Sequence, residues 1–469
     1  MAETSTRSSG AATTTSSSYS SSGSPITQMA QDHIFSILLL LPTDSIISFS
    51  MTCSRFRSLT FSESLWEAIC RRDWGPTTVD ALKFSAEATN CQQQLSWMRL
   101  YKKVCQLDSV SCHRLSGPDA GMVLPKPRAS HSLNFVSDCL VLFGGGSEGG
   151  RHIDDTWVAY IGNDFRRMLR WEKITSGIPS GRFGHTCVVI GNHLVLFGGI
   201  NDDGIRHNDT WVGQVALNET LGFTVSWRLL DVGSVAPPPR GAHAGCCIGN
   251  NRMVVTHPSP PARSGHTLTC IGEAEQFCLE EGLSYNVLND LWLFEFSEVY
   301  SKWVQILYEL KNVPGGISLP RVGHSATLIL GGRVLIYGGE DSQRHRKDDF
   351  WVLDTGAITS VNPIPLNSRG LLVNIWKRLN AEGYKPECRS FHGACTDHSG
   401  RFLFVFGGMV DGLIRPAEPA GMSKPEIGAA IWVQGDMIKE NEFLSVFDGL
   451  RLLSLISFIE SGTILRASE

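Results

Sequence analysis

The chain has 469 residues, of which 42% are hydrophobic and 19% charged, and its formal net charge is −5. These proportions describe a globular chain with room for one large and one smaller domain, and they exclude a wholly disordered one. So small a net charge speaks against broad electrostatic attraction to nucleic acid or to acidic membranes. The short basic run Arg344-His345-Arg346-Lys347 is followed at once by Asp348 and Asp349. The longest apolar run, Ile37 to Leu41, is too short to cross a bilayer. Thirteen cysteines include no C-x-x-C pair, which removes a zinc-ribbon reading and leaves buried, reduced thiols as the expectation. Reduced thiols suit a cytoplasmic or nuclear setting.

In chain order, residues 1–25 are rich in Ser, Thr and Gly and predict a disordered tail without a secretory signal. Ile34, Ile37, Leu38 and Leu41 then fall at helical spacing, and Pro42 ends that helix. Thr43 or Asp44 is placed to cap a second helix carrying Ile46, Ile47, Phe49 and Met51. Ser62 can cap a third, with Leu65, Trp66 and Ile69, closed by Arg71 and Arg72 at its C-terminal end. Three short helices in so few residues make a core too small to be secure and leave apolar surface for a partner. Residues 73–109 carry another helical signal, with Leu95, Met98, Tyr101 and Cys105 on one face, read as a linker.

The stretch HIFSILLLLPTDSIISFSMTCSRFRSLTFSESLW resembles an F-box, which assigns residues 26–72 to that module. The usual Leu-Pro ahead of the first helix is replaced by Ile26-Thr27 and Met29. The resemblance implies a Skp-type adaptor of a cullin ligase as partner, contacted through Ile34, Leu38, Leu41, Pro42, Ile46 and Met51.

From residue 110 onward one pattern recurs: Arg-x-x-His, a strand ending in an aromatic and Gly-Gly, then Asp-x-Trp, then a strand opened by Trp. Full copies begin at Arg128/His131, Arg182/His185 and Arg321/His324, and further anchor histidines stand at His243, His266 and His392. Each copy holds four alternating segments broken by Gly, the pattern of a four-stranded antiparallel blade. The spacing resembles the kelch repeat, so residues 110–469 are expected to form an all-β kelch propeller of about six blades, one truncated. The residue types have architectural reasons. Gly-Gly permits positive φ where chains crowd the axis, a buried Arg requires the Asp of Asp-x-Trp, and the Trp fills the space between blades.

Cys112 to Leu115 occupies the position that Trp171 to Ile174 holds before the next anchor, so the first strand is expected to close the last blade. Ile431-Trp432-Val433 and Leu450 to Ile456 compete for that blade's third strand. Two stretches break the pattern. After Met253 to His257 the chain passes directly to Arg263 and His266, so the third repeat lacks its Gly-Gly, its Asp-x-Trp and its outer strands. At Ile271 to Gly282, where a strand and Gly-Gly are due, stand Glu273, Glu275, Glu280 and Glu281. Permitted codons for Glu273 to Glu281, read one nucleotide out of frame, give Gly-Gly-Arg-Ala-Val-Leu-Phe-Gly-Gly, as a compensated frame slip would. The middle of the propeller is therefore expected to be its weakest part.

An F-box ahead of kelch repeats resembles the plant-type F-box/kelch-repeat proteins, which implies a substrate receptor of a ubiquitin ligase with no catalytic residues, cofactor or metal. The target would bind loops that follow Gly-Gly, at Ser147 to His152, Asn201 to His207 and Asp341 to Lys347. Their charged members are Glu148, Arg151, Asp202, Arg206, Arg344 and Arg346. The alternatives are a scaffold with a degenerate F-box, and a kelch-fold enzyme such as the copper oxidases. The enzyme would need a clustered Tyr/His site, whereas these histidines occupy an architectural slot.

Overall fold

The computed structural model describes residues 25–88, 96–115, 123–147, 150–161, 169–174, 178–218, 222–233, 236–248, 252–255, 265–271, 276–280, 291–296, 301–309, 321–359, 372–373, 375–383, 385–410, 432–434 and 465–466. The expected tail before Pro25, Leu95, Glu148, Glu273, Glu275, Glu281 and Leu450 to Ile456 lie outside them. The chain divides into two compact units, Met1–Ala68 and Ile69–Glu469.

The first unit is helical: α1 (Pro25–Gln28), α2 (Gln31–Leu38), α3 (Thr43–Ser50), α4 (Ser54–Thr60) and the start of α5 (Glu63–Trp74). Ile34, Leu38, Ile46, Phe56, Leu65 and Trp66 are buried. Phe49 stacks on Phe56 at 4.2 Å between ring centroids. The Trp66 indole donates to the Thr60 carbonyl at 2.8 Å. The expected side-chain cap of α3 is absent, because Pro42 itself holds the N-cap position with φ −58°. Ser62 does serve α5, its Oγ accepting from the Leu65 amide at 3.4 Å. Helix α4 was not foreseen. Its N-cap is Cys53, whose Sγ accepts from the Phe56 amide at 3.5 Å, and sulfur is a weak cap acceptor that leaves little trace in a propensity reading.

In the second unit, α6 (Pro76–Ala88) and α7 (Trp97–Cys105) precede the strands. The buried face of α7 is Trp97, Leu100 and Val104, whereas the expected Cys105 is exposed and Met98 and Tyr101 are half-buried. Contacts explain this rotation. Val104 packs so closely on Gly331 that a Cβ there would come within 2.4 Å of its Cγ1. Arg333 donates to the Val104 and Cys105 carbonyls at 2.5 and 2.9 Å, satisfying the end of the helix.

Strand β1 (Ser109–Arg114) is followed by two antiparallel meanders: β2 (Ser132–Val136), β3 (Cys139–Phe143), β4 (Thr156–Tyr160) and β5 (Trp171–Ile174), then β6 (Thr186–Ile190), β7 (His193–Phe197), β8 (Thr210–Asn218) and β9 (Gly222–Leu230). A short hairpin, β10 (Gly245–Ile248) and β11 (Arg252–Val255), comes next. A third meander runs β12 (Thr267–Cys270), β13 (Gln276–Glu280), β14 (Leu291–Phe296) and β15 (Ser301–Ile306). Strand β16 (Tyr308–Glu309) leads to β17 (Val322–Ile329), β18 (Arg333–Glu340) and β19 (Phe350–Asp354). The turn α8 (Gly356–Thr359), β20 (Leu372–Val373) and β21 (Trp376–Gly383) follow. The chain continues through β22 (Arg389–Ser390), β23 (Gly393–Thr396), β24 (Leu403–Phe406), β25 (Met409–Val410), β26 (Trp432–Gln434) and β27 (Leu465–Arg466).

Strand β13 forms where Gly-Gly was due, with Thr267 opposite Glu280 as Thr186 lies opposite Phe197. The strand therefore survives without its motif. The first strand joins the last sheet as expected, in the order β23-β24-β26-β1, so Trp432–Gln434 takes the contested third place. The N-terminal half of β1 also pairs in parallel with β21, fusing two sheets into one of eight strands. Among the described residues no helix is long and apolar enough to cross a membrane.

The innermost strands β2, β6, β10, β12, β17 and β23 touch neighbour to neighbour in a circle. A ring of backbone hydrogen bonds closes beside them. The amides of Ser130, Gly184, Ala242, Gly265, Gly323 and Phe391 each donate to the carbonyl of the preceding member at 2.6–3.2 Å, Ser130 completing the circle onto Phe391. All six have φ between 54° and 66°. The left-handed backbone turns each amide toward the preceding repeat.

Candidate interaction surfaces

Each full repeat is locked by one clip. The Arg128, Arg182 and Arg321 guanidinium groups meet Asp155, Asp209 and Asp349 at 2.7, 2.6 and 2.7 Å. The same nitrogen donates to the carbonyl of the first Gly of Gly-Gly, at Gly144, Gly198 and Gly338, at 3.0 Å each. Asp209 and Asp349 also accept from the indoles of Trp211 and Trp351, two residues on, at 2.7 and 2.8 Å. Burial would raise the Asp349 carboxyl, but hydrogen bonds from Arg321 and Trp351 outweigh it and hold its pKa below the usual carboxylate range.

The glycines are required here. Gly338 has φ 69°, and a Cβ on it would lie 2.6 Å from the Arg389 carbonyl oxygen. The anchor histidines join repeats: Nε2 of His185, His324 and His392 lies 3.0, 3.2 and 2.9 Å from the hydroxyls of Ser132, Thr267 and Ser325 in the preceding repeat. These hydroxyls went unnoticed in the sequence, although the signal was present as Ser or Thr directly after the anchor His. Burial first, and then the neighbouring arginine, holds His185 and His243 neutral at a pKa of about 3. Inner-strand residues including Ser132, Thr186, Thr267 and Ser325 line a cavity of about 230 Å³. Among the described residues no group of His, Cys, Asp and Glu could hold a metal ion. Burial pushes the Cys139 and Cys187 thiols up to about 12, far from the reactive thiolate range.

The loops after Gly-Gly share a further device. Asn201 Oδ1 accepts from the Asp203 and Ile205 amides at 3.1 and 2.9 Å, and Asp341 Oδ1 from the Gln343 and His345 amides at 2.9 and 3.0 Å. Ser147, at the same place, donates to the Arg151 carbonyl at 3.1 Å. This organising residue, two positions after Gly-Gly, was also legible but unread. Of the charged loop candidates, Arg151, Asp202, Arg206 and Arg344 are exposed. Asp202 Oδ1 accepts from the His152 amide at 2.8 Å, linking two loops. Arg346 is turned inward onto Ser390 (2.9 Å) and Glu340 (3.5 Å), so its role is structural packing of the loop base.

In the helical unit, Ile34, Leu38 and Ile46 are consumed by the unit's own core, Leu41 is half-buried, and Pro42 and Met51 are exposed. Leu40, Met51, Ile47 and Ile37 keep 85%, 74%, 50% and 38% of their surface exposed. Leu40 was missed because it stands off the i, i+3, i+4, i+7 stripe used to find the helix. For a partner-binding residue, that position is itself the signal.

The clip, the anchor hydrogen bonds and the ring of inner strands define a kelch-repeat domain behind an F-box-like helical module. Profile comparison agrees: residues 32–72 match the F-box-like family, and residues 99–257 and 265–414 match the KLHDC2/KLHL20/DRC7 Kelch-repeats domain. An Arabidopsis thaliana F-box/kelch-repeat protein, At1g51550, is 52% identical over 90% of this chain and 94% of its own length. The chain belongs to the F-box/kelch-repeat family. It is also 27% identical to Adagio-like protein 1 of Oryza sativa and 25% identical to Adagio protein 3 of Arabidopsis thaliana, over 81% of the chain in each case. The chain spans about half of those two relatives, 53% of each.

Proposed function

We propose that this chain is a substrate receptor of a Skp–cullin–F-box ubiquitin ligase: the helical unit docks on a Skp-type adaptor and the propeller holds a target protein. One observation carries the reading. The helical unit buries its signature residues Ile34, Leu38 and Ile46 yet leaves Leu40, Ile47 and Met51 in water, so the unit is packed inside and apolar outside. An exposed apolar group of that kind on so small a unit marks a protein-binding surface. Adaptor contact is assigned to Leu40, Pro42, Ile47 and Met51, and target contact to the exposed loop residues Arg151, Asp202, Arg206 and Arg344. The adaptor and cullin machinery would perform ubiquitin transfer, and no residue of this chain is given a catalytic role.

Co-purification with a Skp-type adaptor tests the reading. Burial of a Leu or Met side chain contributes roughly 1.5–3 kcal/mol. Leu40→Asp and Met51→Asp are therefore expected to weaken adaptor binding by about tenfold or more each, with an unchanged thermal melt. Ile34→Asp is expected to unfold the helical unit itself. Wild-type protein with a folded helical unit that ignores the adaptor would overturn the proposal and leave the scaffold reading.

A further inference from the structure

In the full repeats the second strand is flanked on its outer side by an antiparallel third strand, as β4 flanks β3, β8 flanks β7 and β19 flanks β18. Among the described residues the truncated repeat supplies no such strand of its own. After Val255 the sequence reaches the next anchor, His266, through Pro258, Pro260 and Pro261, which cannot donate to a sheet ladder. Met253, Val254 and Val255 are nevertheless buried to within 2% of fully covered. An outer neighbour is present, and it comes from the far end of the chain: β27 pairs with β11, Leu465 opposite Met253 and Arg466 opposite Arg252.

The register shows which slot is filled. Cys246 faces Val254 as Val188 faces Val195, so Met253 is the counterpart of Leu194 and Arg252 of His193. In the full repeat those residues pair with Gly213 and Gln214 of β8. Leu465 and Arg466 therefore stand where Gly213 and Gln214 stand, in the same antiparallel sense. We propose that the outer edge of β11 is a strand-docking site, and that its occupant is the C-terminal segment around Leu465–Arg466, which replaces the third strand that the truncated repeat has lost. An uncovered edge of this kind offers backbone donors and acceptors to any extended chain, and pairing through the main chain needs few specific side chains. The proposal does not depend on the adaptor reading.

Amide hydrogen exchange read by mass spectrometry on the whole protein tests it. Removal of residues 464–469 is expected to speed exchange across Arg252–Val255 by about tenfold or more, while Thr186–Ile190 in the full repeat is unaffected. A synthetic peptide of residues 461–469, added in excess, is expected to restore the protection. Because a truncated chain can fail to fold, the double variant Leu465→Pro/Arg466→Pro in the full-length chain reads the same slot by removing the strand's donors. Exchange across Arg252–Val255 that matches the parent protein in that folded variant overturns the proposal.

Discussion

The two full repeats at 128–230 and the truncated third repeat at 240–255 share their inside and differ on their outside. Both contribute first strands to the circle, and both place left-handed residues in the backbone ring: Ser130 and Gly184 in the former, Ala242 in the latter. The full repeats add the Arg–Asp–Gly clip and two outer strands. The third repeat keeps Arg240, whose Nε donates to the Pro238 carbonyl at 3.1 Å, but its sequence lacks both the Gly-Gly and the Asp-x-Trp that complete a clip. Closure of the ring thus rests on the innermost strand and its backbone bonds, whereas the motif residues stiffen the blade that surrounds each one.

Four substitutions or conditions probe this contrast. The largest effect is expected from Arg321→Ala, which strands the buried Asp349 and the Gly338 carbonyl. Breaking such a pair costs about 3–5 kcal/mol, while Arg240→Ala in the clipless repeat is expected to cost about 1 kcal/mol. Guanidinium denaturation curves of the two variants compare them directly, and equal losses would break the distinction. Next comes Gly338→Ala, where positive φ and the near contact with the Arg389 carbonyl together cost about 2–4 kcal/mol, read as a lower melting temperature.

Acid should act on both kinds of repeat alike. His185 and His243 have folded pKa values near 3, below the unfolded imidazole. The unfolded chain therefore binds more protons between that value and about 6.5, and stability falls as pH drops through this window. It is fully present above it. His185→Asn and His243→Asn should each flatten the pH dependence of the unfolding free energy, and a flattening confined to one of them would show that the shared inner ring is not equivalent. The smallest effect is expected at Ala242→Gly. Relief of its left-handed backbone is partly offset by unfolded-chain entropy, leaving a gain of about 0.5 kcal/mol, measurable as a slightly higher melting temperature.

Much of the fold was legible because the motif residues are chemically obligatory. A buried Arg demands an Asp, and Asp155, Asp209 and Asp349 stand at the expected places. Positive φ at Gly-Gly demands glycine, and Gly144, Gly145, Gly198 and Gly199 adopt it. Other parts were not legible. The resemblance implied Ile34, Leu38 and Ile46 as adaptor contacts, and the structure buries all three; helical periodicity locates such a stripe and cannot say whether it serves the unit's own core or a partner. The face of α7 was misread by one residue, because the contacts that rotate it, Gly331 and Arg333, lie more than two hundred positions away.

The sequence by itself determined the kind of repeat, the clip, the need for glycine at the turns and the presence of a small helical module with apolar residues to spare. Tertiary structure decided which of those residues stay in water, which segment lies beside the first strand in the last sheet, that this strand also pairs with β21, and that the C-terminal strand reaches the edge of β11. The physical reason is range. Clips and turns are satisfied within one repeat, so their chemistry is written in neighbouring residues, whereas an open strand edge can be met by any extended segment and its partner is chosen by where the folded chain brings its ends.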